Sequence, residues 1–147
     1  MKPILHHLLA IAIIIIVSSC ATTTDVTPPT NASKSELLAG EVSKSWLLSA
    51  SFVNGKDVTQ NWEACTKDDL LVFRRDNSYE RNEGTLKCSN KDLQVYDKGY
   101  WEFDSGQANI VLNKNKTYKI VTLTANTLVI STKNIWGEIE EFAYKPI

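Results

Sequence analysis

The stretch CTKDDLLVFRRDNSYERNEGTLKC, residues 65–88, decides the fold. It carries an apolar run from Leu70 to Phe73, a turn cluster from Arg75 to Ser78, a return segment starting at Tyr79, and a cysteine at each outer end. Together these are the marks of a β-hairpin. Two registers fit. A two-residue loop at Asp76-Asn77 sets Cys65 opposite Cys88, and both loop residues tolerate the left-handed backbone it needs. A three-residue loop with Asn77 left-handed pairs Phe73 with Tyr79, an aromatic cross-strand contact, and leaves the cysteines one residue out of step. We take the second register, with a bulge near Gly84 restoring the match, and expect a Cys65–Cys88 disulfide between the two strands in either case. The bridge closes 24 residues, worth roughly 3 kcal/mol of loop entropy.

Outward from the hairpin, period-two patterning persists with turn residues at short intervals. Trp46, Leu48, Ala50 and Phe52 share one face of a first strand that ends at the Asn54-Gly55 turn signal. Lys56 to Asp69 reads as a long connection anchored by Trp62, with a helical turn around Gln60 to Ala64. Ser89 to Asp97 reads as a polar connection. Gly99 to Asp104 follows as a strand, with Trp101 and Phe103 on one face and Tyr100 and Glu102 on the other. Strands at 108–113, 117–123, 127–132 and 138–144 complete a set of eight. Antiparallel strands joined by short links form a meander, and eight of them close into an up-and-down barrel without exposed edges. The rival two-sheet sandwich of immunoglobulin type wants a Trp between its cysteines, and none lies between Cys65 and Cys88.

The chain upstream divides in two. Lys2, the unbroken apolar run from Leu8 to Val17, and the small residues after it describe a signal peptide over residues 1–19, too short to span a bilayer as a helix. Val17-Ser18-Ser19-Cys20 resembles the lipobox of bacterial lipoproteins, which implies cleavage before Cys20 and acylation of that cysteine. Several acyl chains anchor stably where one does not, so the expected partner is a lipid bilayer, held without a membrane span. Ala21 follows Cys20 where some lipoproteins carry an acidic retention signal. By analogy the outer membrane of the cell envelope is the expected location. Residues 20–35, rich in Thr, Ser and Pro, read as a flexible tether, and 36–147 as the folded domain. Within it, Ser35 to Gly40 fits one helical turn, capped by Ser35 and stopped by Gly40.

Removing 19 of the 147 residues leaves 128, enough for a single core. It also leaves fifteen basic against seventeen acidic residues, no basic stripe, and so no nucleic-acid surface. His6, His7 and Met1 all lie in the removed segment. Without His or Met the mature chain has no Ser-His-Asp or Cys-His catalysis, no His-ligated zinc, and no His- or Met-ligated haem. Asp68 and Asp69, adjacent on a strand, point apart and are poor partners for acid–base work. Glu138, Glu140 and Glu141 read as solvated edge charges. Asp76-x-Ser78-x-Glu80 lacks the glycine and the terminal glutamate of a calcium loop. We therefore expect a non-enzymatic protein with no cofactor or metal.

Trp46, the Lys67-Asp68-Asp69 run before an apolar strand ending in Phe73, the Asp76 turn followed by Tyr79, Gly99-Tyr100-Trp101, and the hairpin from Tyr118-Lys119-Ile120 to Leu128-Val129-Ile130 together resemble the lipocalin-like domains of bacterial lipoproteins. The resemblance covers roughly residues 37–147 and implies an all-β, eight-stranded barrel. It departs from lipocalins proper in reading Lys44-Ser45-Trp46 where they have Gly-x-Trp. It also offers Lys145 as the nearest counterpart of the Arg they place over that Trp. Trp46, Phe52, Phe73, Tyr79, Trp101, Phe103, Tyr118, Phe142 and Tyr144, with Arg81, are the candidate lining of a ligand cavity of a few hundred Å³; the same aromatics would equally serve to fill the barrel. Arg81, on the Phe73–Tyr79 face, is either at the open end or the anion-recognising group of a site. The first expectation for function is a small hydrophobic or amphipathic ligand. The second is a closed-barrel adaptor for an envelope protein, which would show an exposed apolar patch.

Overall fold

The computed structural model describes residues 32–147. The expected signal peptide, Cys20 and most of the tether lie outside the described residues. Nine strands form one antiparallel sheet: β1 (Ser43–Val53), β2 (Lys56–Asp57), β3 (Leu70–Arg74), β4 (Ser78–Asn82), β5 (Val95–Phe103), β6 (Asn109–Leu112), β7 (Lys116–Leu123), β8 (Leu128–Lys133) and β9 (Ile139–Pro146). β1 also pairs with β9, from Trp46↔Pro146 to Val53↔Glu140, which closes the barrel. β2 is a short return on the end of β1, turned by Asn54 and Gly55 with φ of 50° and 79°. The barrel proper therefore has the eight antiparallel strands expected.

The opening hairpin adopts the three-residue loop: Phe73 pairs with Tyr79, Leu71 with Arg81, and Asn77 has φ 68°. Asp76 supports the turn by accepting from the Ser78 N–H at 2.9 Å and the Ser78 hydroxyl at 2.6 Å. The disulfide forms, but not across strands. Cys65 sits on a helical turn, α2 (Ala64–Lys67), and Cys88 in the coil after β4, beyond the ladder's last pair Leu70↔Asn82. The chain leaves the sheet before either cysteine, so no bulge at Gly84 is needed. Gly84 instead takes φ +61° beside the Asp68 carbonyl, which an added Cβ would overlap.

The bulges lie elsewhere. In β1 the pairing with β9 jumps from Leu48↔Tyr144 to Ala50↔Ala143, leaving Ser49 unpaired. The inward set is therefore Trp46 and Leu48, then Ser51, which is buried opposite Phe142. Phe52, expected inside, pairs with Glu141 on the outer face, because one extra residue turns every later side chain over. β5 begins at Val95, so the polar connection before it is shorter than its composition implies.

A single helical turn, α1 (Lys34–Ala39), stoppers one pole of the barrel. Its N-cap is Ser33, whose hydroxyl accepts from the Glu36 N–H at 3.2 Å, two residues before the cap expected at Ser35. Gly40, φ 65°, ends it as expected. Leu38 and Ala39 are fully buried, and the Leu38 carbonyl accepts from Trp46 Nε1 at 2.8 Å. Lys44 Nζ donates to the Leu37 carbonyl at 2.9 Å and to Ala125 in the β7–β8 turn at 2.7 Å, lying 4.2 Å from the Trp46 ring centroid. The cation over the first-strand Trp is thus Lys44 from the same strand; Lys145 is exposed.

Candidate functional site

The stoppered half of the barrel is solid. Trp46, Phe73, Tyr79, Trp101 and Tyr118 are buried in one cluster. Phe73 meets Trp101 edge-on at 5.8 Å, and Trp101 meets Phe103 at 5.3 Å. Of these residues, expected as a cavity lining, all but Tyr118, which also borders open space, fill the barrel instead, and each polar tip is used. Trp101 Nε1 donates to the Arg74 carbonyl at 3.1 Å. The Tyr79 hydroxyl donates to Asp97 and accepts from Asn113 Nδ2 at 3.0 Å. Asn113 reaches that far because Gly99 lies beneath it: a Cβ at Gly99 would overlap the amide. Burial, then the Asp97 carboxylate beside it, pushes the Tyr79 phenol up to about 12.

Space opens at the other pole, ringed by the 54–69 connection, the β4–β5 loop and the β6–β7 and β8–β9 turns. An inner cavity of about 80 Å³ is lined by Leu48, Leu70, Leu71, Thr66, Asp69, Tyr96 and Tyr144, among others. This is well short of a few hundred Å³. Above it a wide cleft of about 580 Å³ is lined by Tyr118, Lys116, Lys133, Glu140, Ile135 and Trp136. Trp62, Arg81 and Phe142 line both and form the neck between them. Trp62 and Phe142 meet edge-on there at 6.5 Å.

Of the sequence-predicted site residues, Tyr118, Phe142 and Arg81 reach the open cleft, and Arg81 reaches into the neck. Its position follows from the hairpin register, which points it inward beyond Tyr79 and opposite Leu71. Nη2 donates to the Tyr118 hydroxyl at 2.9 Å. Nε lies 3.7 Å from Asp97 Oδ2, close enough to attract but too far to hydrogen-bond, and it is buried without a hydrogen-bond partner among the described residues. Burial disfavours the guanidinium's charge, but the surrounding phenols and Asp97 more than offset it, leaving its pKa raised. Asp69, in the inner cavity, accepts from the Tyr96 hydroxyl at 2.9 Å, and burial raises its pKa. Asp68 and Asp69 do part as expected: Asp68 Oδ2 accepts from the Thr85 and Leu86 N–H groups instead.

The disulfide frames this mouth. α2 carries Cys65 three residues after Trp62, and Cys88 lies in the β4–β5 loop. Glu63 stands near both sulfurs, but a carboxylate beside two sulfurs already bonded to each other offers no set of metal ligands. Phe142 and Tyr144, expected among the lining aromatics, do line open space, whereas sequence reasoning singled out Trp62 only as an anchor and missed Lys116, Ile135 and Trp136. Their clustering depends on barrel closure, which brings β4, β7, β8 and β9 around one opening.

A barrel with one pole stoppered by a short helix and the other open to a pocket is the architecture of small-ligand-binding barrels. The family model of the lipocalin-like domain matches residues 42–130, and the chain belongs to that family. The match runs from the start of β1 into β8; β9, beyond it, completes the closure. No curated protein matches the chain.

Proposed function

We propose that this protein is a non-enzymatic, membrane-anchored envelope lipoprotein that binds a small amphipathic molecule at the mouth of its barrel rather than in its depth. The observation that carries the reading is the neck at Trp62, Arg81 and Phe142, where apolar and cationic groups meet at the floor of a cleft of about 580 Å³. That volume lies within the range of small-molecule sites. Anchoring rests on the Cys20 motif and the tether composition, with the outer membrane as the location. Native mass spectrometry of protein extracted from the envelope fraction tests the function: it should carry one small molecule, released on denaturation. Wild-type protein leaving the envelope unloaded but in stoichiometric complex with another protein would overturn this in favour of an adaptor. The exposed Ile135–Trp136 pair is the patch an adaptor would use.

A further inference from the structure

Resting on that reading, we propose that the mouth is selective for an amphipathic anion, with a carboxylate head held by Arg81 beside Tyr118 and an apolar tail lying over Trp62, Ile135 and Trp136. Three observations converge. A guanidinium carries five N–H donors, and Arg81 uses Nη2 on Tyr118 while Nε has no hydrogen-bond partner among the described residues. The Asp97 carboxylate that would have satisfied Nε is instead within 3.2 Å of the Tyr79 hydroxyl, which donates to it. The guanidinium N–H groups left accessible at the neck can be met by a two-oxygen head.

Charge favours the same sign of ligand. In a chain whose net charge is −1, the cleft is lined by Arg81, Lys116 and Lys133 against a single acid, Glu140. Lys116 Nζ stands 5.4 Å from the Tyr118 ring centroid and the Arg81 guanidinium 5.9 Å, so two cations concentrate around one ring. Glu140 is partly engaged, accepting from Asn134 Nδ2 at 3.4 Å. A cationic ligand would meet repulsion here, and a neutral one would leave Arg81 as it is.

The tail has a place outside the barrel. Ile135 is 89 % and Trp136 77 % exposed, on the β8–β9 turn at the rim of the cleft. Large apolar side chains left in water at the edge of a cationic cleft gain from cover. The inner cavity, at about 80 Å³ and lined by Asp69, Tyr96 and Thr66, suits water better than an acyl chain.

Tryptophan fluorescence titration of the purified full chain with octanoate, 1-octanol and octylammonium tests this, since Trp62 and Trp136 report from the mouth. Octanoate should bind about tenfold tighter than either isologue, roughly 1.4 kcal/mol. Arg81→Gln should abolish that preference and leave octanol binding unchanged. Because Arg81 is largely buried, Lys116→Gln with Lys133→Gln serves as a second variant on exposed positions, expected to lower octanoate affinity severalfold with octanol unaffected. Equal binding of octanoate and octanol by the wild type would overturn the anion selectivity while leaving ligand binding intact. Failure of all three to bind would overturn both.

Discussion

Gly84 and Gly55 both sit at positive φ, +61° and +79°, yet they meet different surroundings. At Gly55 nothing lies within 4 Å of where an added methyl would sit, so Gly55→Ala incurs only the left-handed backbone penalty, about 1 kcal/mol. At Gly84 the methyl would overlap the Asp68 carbonyl, on the residue whose carboxylate holds the Thr85 and Leu86 N–H groups. Gly84→Ala should therefore cost about 2 kcal/mol or more, read as a lowered urea midpoint at unchanged slope. Equal costs at the two sites would refute the contact. Single residues were legible where their chemistry is local: Asn77 marks its own left-handed turn, and the Phe73–Tyr79 pair follows from it. Gly84 was not legible, because its constraint comes from Asp68, sixteen positions earlier. Ser49 carries no mark of a bulge either; the alternation of Trp46, Leu48, Ala50 and Phe52 runs straight through it, and only the register of β9 breaks it.

Among the elements, α2 and the β4–β5 loop are joined by their bridge and by the Asp68 carboxylate, and the bridge is the stronger tie. α2 is four residues long with none buried, and its cap makes no side-chain hydrogen bond. Replacing both cysteines, Cys65→Ala with Cys88→Ala, should lower stability by about 3 kcal/mol. Amide exchange should quicken at 54–69 and 83–94 while the α1 pole stays protected. Uniform loss of protection across the barrel would show instead that the bridge supports the whole sheet. The cysteine pair itself was readable from its spacing around a hairpin. That it joins two loops was not, since strand patterning fades gradually into Lys67-Asp68-Asp69 and gives no sharp end to β3. α1 was nearly readable, with Gly40 as its stop, but Ser33 and Ser35 are equally good caps by residue type and only the packing of Leu38 and Ala39 selects between them.

At the scale of the whole molecule, the barrel interior stores protons that the unfolded chain would release. Burial pushes the Tyr144 phenol up to about 12, against its ordinary value of 10.0. Stability from this group is whole below pH 10 and is lost as pH rises through the folded value, by about 3 kcal/mol in all. Tyr144→Phe should leave neutral-pH stability nearly unchanged and move the alkaline unfolding midpoint upward. An unmoved midpoint would place the alkaline limit in another group, Tyr79 first among them. The meander of short strands foretold the closed barrel because antiparallel order with tight turns admits few other ends. The mouth was not foretold: Trp62, Arg81, Phe142 and Trp136 lie on separate segments that meet only after β1 pairs with β9. That closing seam also gives the molecule a direction. The Ile147 N–H donates to the Ser45 carbonyl at 3.1 Å, so the last residue lies at the pole that α1 stoppers, and the chain enters the fold there too. The two ends of the described chain, α1 and Ile147, thus share one side of the molecule, and the cleft opens on the other like the mouth of a cup.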